Sequence, residues 1–108
     1  MPSDVSIREE LSLNSAHIEA LCRRYHVKRL DLFGSALSDE FDPATSDLDF
    51  LVEFEDMAPA AYAQAYFGLL QGLEQLFSRP IDLVTASSLR NPYFKQRIDE
   101  TKAALYAA

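Results

Sequence analysis

The sequence predicts a small α/β domain of the α+β kind, a mixed β-sheet flanked by helices. Two stretches, residues 14–25 and 60–77, space their apolar residues as one helix face does. Three short apolar runs, residues 27–33, 48–54 and 81–85, have strand length and are bounded by Gly34, Pro43 and Arg79-Pro80. Helices and strands also interleave along the chain, the pattern of an α/β or α+β domain.

Taken in order, residues 1–11 read as a polar, acidic lead-in. Ile18, Leu21, Cys22 and Tyr25 then fall at i, i+3, i+4 and i+7, one side of a first helix. Leu30 and Leu32 mark the first strand, which stops at Gly34, and the polar residues 37–46 around Pro43 make a loop. The second strand, 48–54, turns polar toward Glu53 and Glu55. Tyr62, Tyr66, Leu69, Leu70, Leu73, Leu76 and Phe77 define the longest helix. Gly68 and Gly72 each cost that helix about 1 kcal/mol relative to Ala. Their spacing points to close packing within the chain. Arg79-Pro80 ends the helix, and Ile81–Thr85 is a third strand. Asn91-Pro92, an N-cap followed by proline at the first helical position, starts a last helix with Phe94, Ile98 and Leu105 along one side.

With 108 residues, residues 1–108 are expected to form one domain with a core of its own. Apolar residues make up 48% and charged residues 25%, a globular composition rather than a disordered one. No apolar run approaches the roughly 20 residues of a membrane helix, and the start has neither the basic nor the apolar region of a signal peptide. Cys22, the single cysteine, forms no internal disulfide and no cysteine cluster for zinc, which fits a reducing, cytoplasmic setting. The net charge of −7 argues against long nucleic acid as a substrate and suits a basic protein partner. Arg23-Arg24 and Lys28-Arg29 read as solvated element ends, His17 and His26 as surface residues, and Cys22 as a small core residue.

The chemistry concentrates between Phe33 and Phe54. Asp47 and Asp49 lie two apart at the start of a strand, so their side chains share a face, with Leu48 on the other. Aspartate is depleted in strands, and two carboxylates this close repel unless a cation lies between them. Mg²⁺ suits them: it takes oxygen ligands and is commonly shared with substrate phosphates. If the third strand pairs beside the second, Asp82 joins them. Three carboxylates can hold two metal ions about 3.5–4 Å apart for in-line displacement. Gly34-Ser35 supplies the complement, since glycine after a strand lets the backbone turn and approach phosphate oxygens, and Ser35 adds a hydroxyl and an amide.

These residues resemble the minimal nucleotidyltransferase family of the DNA polymerase β-like superfamily. Its mark is Gly-Ser, a gap of roughly ten residues, Asp-hydrophobic-Asp and a later third Asp. The segments LDLFGSAL, FDPATSDLDFLVEF and RPIDLVTASSLRNPYF, with the terminal LYAA, extend the likeness over nearly the whole chain. The resemblance implies the superfamily's mixed sheet flanked by helices, with ATP as substrate, Mg²⁺ as cofactor and transfer of a nucleoside monophosphate. By position, Gly34 and Ser35 grip the triphosphate and Asp47 and Asp49 bind metal. Asp82 either helps deprotonate the acceptor hydroxyl or holds the catalytic metal. Stand-alone members are commonly antitoxins that silence a HEPN-type ribonuclease toxin by attaching AMP to a tyrosine. Related sequences often carry Arg shortly after the Gly-Ser, where Leu37-Ser38 stand here.

Three functions are therefore set against one another: adenylyl transfer to a partner protein's hydroxyl, stoichiometric masking of that partner without turnover, and nucleotidylation of a small molecule. The last needs an acceptor pocket that a dimer or partner would have to complete.

Overall fold

The structure, a computed structural model, describes residues 7–33, 48–85, 92–93, 96 and 102–108. Among them the elements run α1 (Ile7–Leu13), α2 (Ser15–Arg24), β1 (Val27–Phe33), β2 (Leu48–Phe54), α3 (Pro59–Phe77), β3 (Ile81–Thr85) and β4 (Ala103–Ala107). The four strands form one sheet in the order β3-β2-β1-β4. β1 pairs antiparallel with β2 and with β4, and β2 pairs parallel with β3, so the sheet is mixed as expected. A parallel pair needs a crossover between its strands, and α3 supplies it.

The first face of the sheet carries the core. Leu30, Leu32, Leu48, Phe50 and Val52 are fully buried, and α2 and α3 meet them with Ile18, Cys22, Leu69, Leu73 and Phe77. Cys22 is accordingly a buried core residue, and burial, with the Glu19 charge adding, pushes its thiol up to about 12. The paired glycines of α3 are explained by α2. A Cβ on Gly72 would meet Leu21 Cδ2 at 2.6 Å, and one on Gly68 would run into the Tyr25 ring. Both are the internal close approach that their spacing predicts.

Two segments depart from the expectation. Residues 7–13, within and just beyond the expected lead-in, are helical: Leu11 is buried, and Glu10 pairs with Arg79 at 3.4 Å. Polarity suggested a loose segment, yet IREELSL is rich in good helix formers. The second departure is larger. Leu105 belongs to strand β4, not to the last helix, and packs against the core with Tyr106. Alanine-rich AALYA has little strand propensity apart from Tyr106; it answers the unpaired backbone edge of β1, through Leu30↔Tyr106 and Leu32↔Ala103. Pro92, Tyr93 and Gln96 are helical, in line with a helix start at Asn91-Pro92, while Asn91, Phe94 and Ile98 lie outside the described residues.

Candidate active site

β1 ends where β2 and β3 begin, so all three strands bring a terminus to the same end of the sheet. Phe33 stands opposite Asp49, and Asp49 opposite Asp82. Partners in neighbouring strands share a face and lie about 4.8 Å apart along the hydrogen-bonding direction. The two carboxylates that are 33 residues apart in sequence therefore sit side by side. Leu48, fully buried on the first face, fixes Asp49 on the second by simple alternation.

Asp49 is half-buried and Asp82 exposed at the outer strand. Tyr66 reaches the same strand from α3, its hydroxyl donating to the Leu83 carbonyl at 2.6 Å. Burial first, then the charges of Asp82 and Tyr62, push the Tyr66 phenol above its ordinary value. It therefore stays a donor at neutral pH. Beside it Phe67 is largely exposed, its ring edge-on to Tyr66 with ring centres 5.3 Å apart.

Asp47, Gly34 and Ser35 lie outside the described residues. Among the described residues no group of three His, Cys, Asp or Glu is gathered to hold a metal ion. Asp49 and Asp82 are two of the three carboxylates expected there. Their chemistry fits Mg²⁺: hard, anionic oxygen donors, side by side at the end of a sheet.

Sequence reading missed one charged residue of this face. Asp31 is 1% exposed and is the one buried charged residue among those described. Arg29 Nε contacts both of its oxygens, at 3.3 and 3.1 Å, and Lys102 Nζ lies 3.9 Å from Oδ2. The signal was available. An aspartate between Leu30 and Leu32 in a strand is as anomalous as Asp49, by the same depletion rule.

A family model for the nucleotidyltransferase domain matches residues 15–105. The chain belongs to that nucleotidyltransferase family. Among its relatives, a Methanocaldococcus jannaschii protein is 36% identical over 84 residues, 78% of this chain and 82% of that one. The protein adenylyltransferase MntA of Thermococcus cleftensis is 31% identical over 96 residues, covering 89% and 93%. Among solved structures, the fold matches a chain from the complex of a triply AMPylated Shewanella oneidensis HEPN toxin with its MNT antitoxin. There the TM-score is 0.61 at 24% identity, over 91% of this chain and 73% of that one. The nucleotidyltransferase fold expected from the sequence is thus the observed one. Among the described residues no helix is long and apolar enough to cross a membrane.

Proposed function

We propose that this nucleotidyltransferase moves AMP from ATP to a hydroxyl of a partner protein, a tyrosine of a HEPN-type toxin, and so acts as its antitoxin. The observation that carries the reading is the register Asp49↔Asp82, which sets two carboxylates side by side. The relative named a protein adenylyltransferase and the toxin–antitoxin complex of like fold support the acceptor class. The chain's net charge of −7 favours a basic, RNA-handling partner.

In the reaction, the acceptor oxygen bonds to the α-phosphorus. The bond from that phosphorus to the oxygen bridging the β-phosphate breaks, and pyrophosphate leaves. Asp47, Asp49 and Asp82 would hold Mg²⁺, which when bound neutralises charge at the attacking and leaving oxygens. Asp82, exposed on the outer strand, would help deprotonate the acceptor hydroxyl or hold the catalytic metal. Gly34 and Ser35, which follow Phe33 in the sequence, would orient the triphosphate through backbone and hydroxyl donors. Most of the rate then comes from positioning and charge neutralisation.

The test is transfer of label from ATP labelled at the α-phosphate to the partner. Label on a partner tyrosine, absent with Asp49→Asn, is the expected outcome. An unlabelled but tightly bound partner, neutralised equally well by Asp49→Asn, would instead make the chain a masking antitoxin.

A further inference from the structure

Helices α2 and α3 both turn one side to solvent, and the two sides differ. On α2 that side is charged, with Glu19 paired to Arg23 and Arg24 exposed beside them. α3 carries no Asp, Glu, Lys, Arg or His from Pro59 to Leu73, in a chain of which 25% is charged. Its exposed residues Ala60, Gln64, Phe67, Gln71 and Glu74 fall at i, i+4, i+7, i+11 and i+14, one stripe of the helix. Phe67 stands in the middle of that stripe, 63% exposed. A lone exposed aromatic needs no explanation. One centred in a charge-free stripe has the composition of an interface core, where charged residues are depleted and aromatic ones enriched.

The stripe adjoins the candidate active site. Phe67 meets Tyr66 edge-on, and the Tyr66 hydroxyl donates to the carbonyl of Leu83, the residue after Asp82. The charge of Asp82 acts on the same phenol. Tyr66 thus ties the stripe to β3, the outer strand, on which Asp82 is exposed. The stripe also runs toward the active end of the sheet, since α3 ends at Phe77 and β3 begins there at Ile81. A stable interface covers about 800 Å² of each partner, a patch roughly 30 Å across. A protein that brings a hydroxyl to Asp82 therefore covers its surroundings as well. Phe67, one ring contact and one hydrogen bond from β3, lies among them.

We propose that the α3 stripe centred on Phe67 docks the acceptor protein, through an apolar patch rimmed by Lys or Arg, and so presents the acceptor hydroxyl to Asp82. The inference rests on the transferase reading above and adds where the acceptor protein binds. Phe67 buries its ring in the apolar patch, while Glu74 and Asp82, both exposed, meet the basic rim. The same charges argue against a second copy of this chain as the occupant, because self-association would bring together two chains of net charge −7. Phe67 positions the acceptor and takes no part in the chemistry. Its loss should therefore appear in binding and KM rather than in kcat.

The experiment uses the full chain and the purified HEPN-type toxin proposed as its acceptor. Calorimetry gives the Kd for the toxin and for Mg·ATP, as its α,β-methylene analogue. Transfer of α-labelled AMP gives KM and kcat, and melting temperature and sedimentation of the chain alone are measured alongside. Phe67→Ala should weaken toxin binding and raise its KM about tenfold or more, as loss of a central aromatic anchor does. Its kcat and analogue binding should change less than about twofold, with the melting temperature held. Glu74→Lys should weaken toxin binding less, and its loss should shrink at high salt. Unchanged toxin Kd and KM in Phe67→Ala overturn the assignment and leave the transferase reading standing. An equal loss of analogue binding also overturns it, making Phe67 a stacking surface for the nucleobase. So does a wild-type dimer that Phe67→Ala dissociates, which would give the stripe to a second copy. Toxin that binds the wild-type chain without being labelled removes the transfer reading, and docking then stands on a tenfold loss of Kd in Phe67→Ala. No toxin binding by the wild-type chain overturns both.

Discussion

The two faces of this sheet do opposite jobs with the same strands. On the first, Leu30, Leu32, Phe50 and Val52 alternate into an apolar core against α2 and α3. On the second, the intervening positions are Arg29, Asp31, Asp49 and Asp82, with the small cluster of Phe33, Leu51 and Val84 for apolar packing among the described residues. A one-residue slip of β2 would exchange the faces. The buried face therefore fixes the register that aligns Asp49 with Asp82. Stability and chemistry are separable by position: each change below should move one of them and spare the other.

The largest effect should come from the second face. Asp49→Asn or Asp82→Asn should lower AMP transfer by on the order of 100-fold or more, as charge stabilisation is lost at the reacting phosphate. The melting temperature should hardly move, and a coupled loss of stability would blur the distinction between the faces. The mirror experiment is Phe50→Ala, which should destabilise the fold by about 3–5 kcal/mol in urea unfolding, with activity falling only as the folded fraction falls. Smaller is Gly68→Ala: its methyl would press on the Tyr25 ring, at about 1–3 kcal/mol for an overpacked contact. Smallest is Tyr66→Phe, which removes the 2.6 Å hydrogen bond to Leu83 and should cost about 1 kcal/mol. Because the phenol is held above its ordinary value of 10.0, that contribution is complete below pH 10 and fades only as pH climbs through the raised value. The wild-type-to-variant difference should thus be flat between about pH 7 and pH 9.

How much of this was legible in the sequence follows the same division. The three strands 27–33, 48–54 and 81–85 were bounded correctly, because apolar runs of strand length were stopped by Gly34, Pro43 and Arg79-Pro80. Helices α2 and α3 were legible through their apolar periodicity. β4 was not, since AALYA is helix-favouring and only the free edge of β1, a tertiary fact, makes it a strand. Asp49 stood out as a charge in an apolar strand, and the pairing with Asp82 was conditional on strand order, which no local signal sets. Asp31 carried the same anomaly as Asp49, but Lys102, its partner, is 71 residues away and reaches it only through β4.

The most direct measurement is Mn²⁺ binding by electron paramagnetic resonance, with and without the α,β-methylene analogue of ATP, on the wild-type chain, Asp49→Asn and Asp82→Asn. The account predicts nucleotide-dependent Mn²⁺ binding to the wild-type protein that both single substitutions severely weaken, since the two residues face the same ion across one strand spacing. Wild-type binding left intact by either substitution in a folded protein would contradict it, and Asp49 and Asp82 would then be neighbours on the sheet but not parts of one metal site.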